Sequence, residues 1–308
     1  MIDPAMEPRE LFSQSLLSRP GKEPGTPVWP VFVAYAAVFT GTLILGTILL
    51  IAGMAALIVQ DPSLARNEQA MGRVIEEFAH SPWALIGSVL ISSAALIAVP
   101  LVVLRLRRKQ VRQSLRLDRL HVSSRAPFFA TTGLLGLGQL PESFWALMGW
   151  SPGGVLETMP KVIQSANWSG RICLILVIGP VAGFAEELFF RGFMQTSLRD
   201  RWRPWIAVGI TAIAFGLLHL DAVQSVFAVF AGVLLGWVTE LTSSIRPAIT
   251  AHAVSNSIGT AAAAIFPAPW SSVAHLWLLV LSLLFAAASI AVLARLPREA
   301  RESALPGP

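Results

Sequence analysis

The chain has 308 residues, of which 54% are hydrophobic and 13% are charged. Soluble globular proteins carry about 25% charged residues, so the composition excludes an ordinary soluble domain and indicates a protein surrounded by lipid. The net charge of +5 does not indicate nucleic-acid binding, because the basic residues lie between apolar segments. The single cysteine, Cys173, excludes a disulfide within the chain.

Residues 1–27 are polar, contain five prolines and carry charges of both signs. They are predicted to form a flexible cytoplasmic tail. The apolar run that follows is too long for the core of a signal peptide, and it is therefore predicted to be an uncleaved first membrane span.

Eight apolar segments approach the length of about 20 residues that a membrane-crossing helix needs. The sequence therefore predicts an all-α, polytopic helical bundle of about eight transmembrane helices. Segment 126–148 is the weakest, because Pro141 and Glu142 interrupt it, and it either crosses the membrane or enters it and breaks near Gln139. The predicted spans are 29–59, 82–104, 126–148, 171–192, 204–220, 222–242, 247–266 and 271–294.

Most of the 23 basic residues fall on one side of the membrane if eight spans follow a cytoplasmic N-terminus. We therefore predict an integral membrane protein with both termini in the cytoplasm, and the Ala-, Arg- and Leu-rich composition favours a bacterial inner membrane. The basic segment 105–119 is interpreted as an interfacial helix on anionic lipid or, equally well, as a solvated loop. The predicted regions are a tail over 1–27, N-terminal spans with the basic segment over 28–125, a catalytic helical core over 126–295 and a cytoplasmic tail over 296–308.

Ionisable residues inside spans cost roughly 2.5–3.5 kcal/mol each on insertion scales, so they are functional candidates. Glu187 and Arg191 are spaced i and i+4 near the end of the fourth span, which favours an ion pair on one helix face. Glu186 points about 100° away from that face. A carboxylate without such a partner suits a general base, so Glu186 is predicted to serve chemistry and Glu187 architecture.

Two further polar clusters lie in later spans. His219 is predicted near the outer end of the fifth span, and His252 and Asn256 share a face of the seventh. Small residues around His252 allow close helix approach. Each histidine alone is as consistent with packing as with catalysis. Among the other polar residues, His275 is predicted to anchor the membrane interface and Glu240 has no assigned role.

Taken together, the three motifs at 186–191, 215–219 and 252–256 resemble the signature of the CPBP family. This is the CAAX-protease and bacteriocin-processing group, also called Abi, which includes the type II CAAX prenyl endopeptidase. The similarity covers roughly residues 125–295 and implies a helical bundle with a conical cavity open to the inner leaflet. The matching residues are Glu186, Glu187, Arg191, Phe215, His219, His252 and Asn256.

The resemblance implies that Glu186 is the catalytic glutamate and His219 its partner, with Glu187 and Arg191 in support. It leaves two accounts open. In the first, Glu186, His219 and His252 ligate zinc; in the second, no metal is used and His252 and Asn256 bind the oxyanion. The sequence does not decide between them.

The leading hypothesis is therefore an intramembrane endopeptidase that acts on a membrane-embedded or lipidated substrate, including a prenylated CAAX-like one. Its partners would be that substrate and membrane lipids, and no nucleic acid. One alternative is a non-catalytic scaffold or immunity-type protein that keeps the motif for packing. The other is a proton-coupled transporter, against which the absence of an obvious internal repeat counts.

Overall fold

The computed structural model describes residues 28–117, 125–150, 153–266 and 272–296. Within these ranges the chain is helical and contains no β-strand, which confirms the predicted all-α class. The tail predicted over 1–27 and all but the first residue of the tail predicted over 296–308 lie outside the described residues.

Eleven helices make up the described part of the chain, and we number them α1 to α11 in chain order. They are Trp29–Gln60, Glu68–Ala79, Pro82–Leu106, Val111–Ser114, Arg125–Leu147, Gly154–Ser165, Trp168–Arg199, Pro204–Leu217, Ala222–Thr242, Arg246–Ile265 and Ser272–Leu293.

Five of these helices (α1, α3, α7, α9 and α11) are long and apolar enough to cross a membrane. They support an integral membrane protein. Helix α8 is apolar but shorter than these five. Helices α5 and α10 are not among the five: α5 contains Pro141, and α10 contains polar residues. The expected number of eight spans therefore stays a prediction.

Local sequence explains where the helices of the site begin. Proline stands in the first turn of α3 and of α8, where its missing N–H removes no helical hydrogen bond. Asp221 caps α9 by accepting a hydrogen bond from the Gln224 N–H at 2.8 Å. Helices α3, α8 and α9 therefore begin where the corresponding spans were predicted to begin, at residues 82, 204 and 222.

Helix α7 is not a uniform α-helix. Its turns widen over Val177–Ala182 and again over Leu188–Gln195, on either side of the short α-helical stretch Gly183–Glu187. Such wide turns occur mostly as local bulges and are frequent at functional sites. The helix continues to Arg199, beyond the predicted end of the fourth span at 192.

The fifth predicted span was too long at its C-terminal end. Helix α8 ends at Leu217, so that His219 lies in the following turn and not in a helix. Leu220 adopts a left-handed backbone conformation, with φ of 57°, which a helix cannot continue through. The turn His219-Leu220-Asp221 thus separates α8 from α9.

The basic segment between α3 and α5 matches neither of the two predicted structures, an interfacial helix or a solvated loop. In its described part, helix is limited to the single turn Val111–Ser114, and Arg108 and Arg116 have left-handed backbone conformations. Leu115 is fully buried, and Arg116 forms an ion pair at 3.0 Å with Glu240 of α9. The end of this segment is therefore docked onto the bundle and is neither a continuous interfacial helix nor a freely solvated loop.

An aromatic core surrounds α7. Phe189, Phe190 and Phe193 pack with Phe215 of α8 and with buried residues of α1 and α3. Residues predicted as two separate regions, 28–125 and 126–295, therefore share one core.

A second contact joins α5 to α11. A Cβ atom on Gly136 would lie 2.6 Å from the Ser282 carbonyl oxygen, and the Thr132 and Ser289 hydroxyls are 2.7 Å apart. Small residues and hydroxyl hydrogen bonds are common means of packing helices in lipid. His275, at the start of α11, is only 5% exposed, so it is buried in the bundle and does not project into the membrane interface as predicted.

Candidate active site

The site lies where α7 crosses α10 at very short range. A Cβ atom on Gly183 would lie 2.9 Å from the Ala253 backbone nitrogen, closer than side chains normally pack. One turn earlier, a Cβ on Gly179 would collide with the Ser257 hydroxyl. Glycines and small residues spaced by four on facing helices allow this approach. The crossing brings Glu186 and Glu187 of α7 next to His252 of α10.

Glu187 is the structural centre of the site. Its carboxylate is fully buried, and Oε1 accepts hydrogen bonds from Arg191 Nη1 and from His252 Nδ1, each at 2.8 Å. Arg191 is also fully buried and donates through Nη2 to the Gly232 carbonyl at 3.1 Å. The ion pair predicted from the i, i+4 spacing is therefore present. Its carboxylate, Glu187, also binds the catalytic candidate His252.

The hydrogen bond to Glu187 fixes the orientation of His252. An ionised carboxylate only accepts hydrogen bonds, so Nδ1 of His252 carries a proton and Nε2 points the other way. Nε2 lies 3.4 Å from Oε2 of Glu186. A proton on Nε2 makes this contact favourable. The pair can thus exchange a proton with a bound water.

Glu186 is more accessible than Glu187. Its side chain is 18% exposed, whereas that of Glu187 has no exposed surface. Among the described residues, the Glu186 carboxylate makes its ionic contact with His252. The division of roles, with Glu186 for chemistry and Glu187 for architecture, stays a prediction that this difference in exposure supports.

His219 and His252 both contact the ring of Phe215. The Phe215 ring lies 5.0 Å from the His219 ring and 5.8 Å from the His252 ring, edge-on to both. His219 Nδ1 lies 3.0 Å from the Phe215 carbonyl oxygen, which only accepts, so Nδ1 is the donor. The neutral ring then keeps a lone pair on Nε2 that can accept a hydrogen bond from water.

Asn256 lies one turn beyond His252 on α10, as the spacing predicted. Its side-chain amide donates to the Ile178 carbonyl of α7 at 3.2 Å. This bond fastens α10 to the first wide turn of α7. The amide nitrogen carries a second N–H that this bond does not use.

The predicted zinc ligands do not form a three-ligand group. In the portion of the chain that the structure covers, no cluster of three or more His, Cys, Asp or Glu side chains is placed to hold a metal ion. Structural and catalytic zinc sites need three or four such ligands at about 2.0–2.3 Å. The described positions of Glu186, His219 and His252 thus show no such group, and zinc binding by these residues stays a prediction.

Two features of the site region escaped the sequence predictions. One is the glycine pair Gly179 and Gly183, for which the four-residue spacing directly before Glu186 was an available signal. The other is Glu240, which pairs with Arg116 and Arg199 at 3.0 Å each and accepts from Gln195 at 3.0 Å. No local pattern indicates this cluster, because its members come from distant parts of the chain.

Fold and site together define an all-helical membrane protein with a buried acid–histidine centre. Within it, residues 168–258 match the model of the family described as type II CAAX prenyl endopeptidase Rce1-like. The matched segment contains all three motifs, so the predicted family resemblance is confirmed. No curated protein and no solved structure gives a match to the chain.

Proposed function

We propose that this chain is an intramembrane endopeptidase that hydrolyses a peptide bond in a membrane-associated substrate. The observation that carries the proposal is the contact of 3.4 Å between His252 Nε2 and Glu186 Oε2, inside a bundle whose outer surface is apolar. The family match over residues 168–258 supports the reaction class.

In the proposed mechanism, Glu186 accepts a proton from a water molecule as the water oxygen attacks the carbonyl carbon of the scissile bond. His252 is held through Nδ1 by Glu187, so its Nε2 stays directed at Glu186 and the water. We place the lone pair on His219 Nε2 as a hydrogen-bond acceptor for the same water. The C–N bond then breaks, and the proton held by Glu186 passes to the leaving amine nitrogen.

The negative charge that develops on the carbonyl oxygen needs hydrogen-bond donors. The second N–H of Asn256 is suited to this role, and protonated His252 is a further donor. Both lie on α10, whose distance from α7 is set by Gly179 and Gly183. No step is assigned to zinc, because the described ligand candidates do not gather around one point.

We further propose eight spans with both termini in the cytoplasm, in a bacterial inner membrane. The distribution of basic residues supports this orientation. Glu186 then lies toward the cytoplasmic end of the fourth span, and a substrate approaches from the inner leaflet. A lipidated peptide fits this route, and a prenylated CAAX-like C-terminus is the substrate class that the family description supports.

The test uses purified protein in lipid vesicles and a panel of prenylated and unprenylated peptides. We expect cleavage by the wild-type chain and a loss of about 10²- to 10⁴-fold for Glu186→Gln, the range that general acid–base catalysis supplies. Glu142→Gln, an exposed acid outside the site, serves as the control and should cleave normally. Normal turnover by Glu186→Gln would refute the proposal.

A second candidate function, a non-catalytic scaffold, is favoured by one observation. The network of Glu187, Arg191 and His252 is buried and would stabilise helix packing without any chemistry. A scaffold requires Glu187 and Arg191 but tolerates Glu186→Gln and His219→Gln in cells. If no peptide of the panel is cleaved and both of these variants retain their cellular function, the scaffold is the better account.

A further inference from the structure

Helix α1 lies outside the segment that matches the family, yet one of its side chains reaches the site. Tyr35, the only tyrosine of the chain, donates a hydrogen bond from its hydroxyl group to the Ala214 carbonyl of α8 at 2.9 Å. We propose that Tyr35 is a positioning residue for His219, so that the active site depends on a helix outside residues 168–258. This inference rests on the peptidase function proposed above.

The first step is the chemistry of a helix end. The last four carbonyl groups of an α-helix lack regular partners within that helix. Ala214 and Phe215 stand in the last turn of α8, directly before the turn that carries His219. The Ala214 carbonyl receives the Tyr35 hydroxyl at 2.9 Å and the Leu218 N–H at the longer distance of 3.3 Å. The helix end before His219 is therefore fastened in part from α1.

The second step is the neighbouring carbonyl. The Phe215 carbonyl oxygen lies 3.0 Å from His219 Nδ1 and so fixes the ring orientation that leaves Nε2 available. The Ala214 and Phe215 carbonyls belong to consecutive peptide units that meet at the Phe215 Cα, and the regular φ and ψ of the helix relate their orientations. Loss of the Tyr35 hydrogen bond would loosen the carbonyl that comes directly before the one holding His219.

The third step is aromatic packing. The Tyr35 ring lies 6.4 Å from Phe190, edge-on, and Phe190 lies 5.1 Å from Phe215. Phe215 in turn contacts the rings of His219 and His252. Through Phe190, Tyr35 thus supports the aromatic side chain that contacts both histidines, and its hydroxyl group supports the backbone beside that side chain.

The rest of α1 shows why this contact matters. The buried residues of α1 are Val31, Ala34 and Val38, all near its N-terminal end, while residues 39–60 contribute none. Tyr35 lies within this short docked part. Its hydroxyl group therefore acts where α1 meets the catalytic helices, whereas later residues of α1 pack on α2 and α3 through Gly53 and Gly87.

The experiment compares Tyr35→Phe, which removes one hydroxyl group, with Thr40→Val on the same helix. Thr40 is the matched control because its hydroxyl group is exposed and bonds only the Ala36 carbonyl of its own helix. We expect Tyr35→Phe to lower kcat by about 3- to 10-fold, the size of one net hydrogen bond, with KM within about 2-fold. Thr40→Val should leave both constants unchanged.

Amide hydrogen exchange of the same variants in lipid gives a readout that does not need activity. Tyr35→Phe should speed exchange in peptides covering residues 214–219 while protection in α7 and α10 stays as in the wild type. A kcat equal to that of Thr40→Val, or a loss of protection throughout the bundle, would overturn the positioning role. Failure of the peptidase proposal instead shows as normal cleavage by Glu186→Gln, whatever the exchange pattern of Tyr35→Phe.

Discussion

The Nε2 atom of His252 lies 3.4 Å from Oε2 of Glu186 because Glu187 holds Nδ1, on the opposite side of the same ring. Two adjacent glutamates thus act on one histidine from two directions. Since Glu187 is buried and Glu186 is partly exposed, substitutions at the two positions should have separable effects.

Glu187→Gln should destabilise the protein as well as inactivate it. The amide keeps the size of the side chain but leaves the buried charge of Arg191 unpaired, which costs about 3–5 kcal/mol. Glu186→Gln should remain close to the wild-type stability. Thermal unfolding in detergent, followed by circular dichroism, measures the difference.

The control for that experiment is Glu157→Gln, which breaks an i, i+4 ion pair with Lys161 at the same 2.8 Å distance. Both of its side chains are exposed, so the loss should be at most about 1 kcal/mol. Equal losses at Glu157 and Glu187 would contradict the structural role assigned to Glu187.

Gly183→Ala should reduce activity by moving α10 away from α7. The added methyl group would lie 2.9 Å from the Ala253 nitrogen, and overpacking of this kind costs about 1–3 kcal/mol. The matched change is Gly209→Ala in α8, where a Cβ meets no atom within 4 Å. The measurements are the turnover and the melting temperature of the two variants. A fully active Gly183→Ala variant would show that activity does not need the close crossing of α7 and α10.

Glu240→Gln should release the docked end of the segment between α3 and α5. Glu240 receives Arg116 and Arg199 together, and its side chain is only 11% exposed. Limited digestion with trypsin, under conditions that leave the wild type intact, should then cut faster at Arg107 and Arg108. Glu142→Gln provides the comparison, and an unchanged digestion rate in Glu240→Gln would mean that buried Leu115 and the hydrogen bonds to the Arg116 carbonyl keep the segment docked without the ion pair.

A chelator should leave peptide cleavage unchanged. The reason is geometric, since the described His, Cys, Asp and Glu side chains form no group of three around a metal position. The measurement is turnover before and after dialysis against the chelator, with zinc added back. Activity that falls on dialysis and returns with zinc would favour the zinc account and a rearrangement of Glu186, His219 and His252 around the ion.

Part of this structure follows from local sequence. Pro82, Pro204 and Asp221 mark helix starts through interactions with their own turns, and the Glu187–Arg191 pair follows from spacing on one helix. These features need no knowledge of the rest of the fold, which is why the sequence predicts them.

Other features depend on which helices meet. The second hydrogen bond of Glu187, to His252, joins residues 65 positions apart, and the pairing of Arg116 with Glu240 joins residues 124 positions apart. Hydropathy also cannot show that α8 ends before His219, because Leu217, Leu218 and Leu220 continue the apolar run through the turn. Leu220 has a left-handed backbone conformation, and no glycine stands at this position to indicate such a conformation from the sequence.

The wide turns of α7 have a consequence for rotational register. Along a regular α-helix, residues four apart drift by about 40° around the axis, so a stripe at this spacing would leave the face it starts on. A wider turn rotates the chain less per residue and opposes that drift. Arg191, Gln195 and Arg199 can therefore all contact α9, where the Gly232 and Gly236 carbonyls and the Glu240 carboxylate repeat at the same interval. Deletion of one residue within Leu188–Gln195 would turn the C-terminal half of α7 away from α9 while Glu186 stays beside His252.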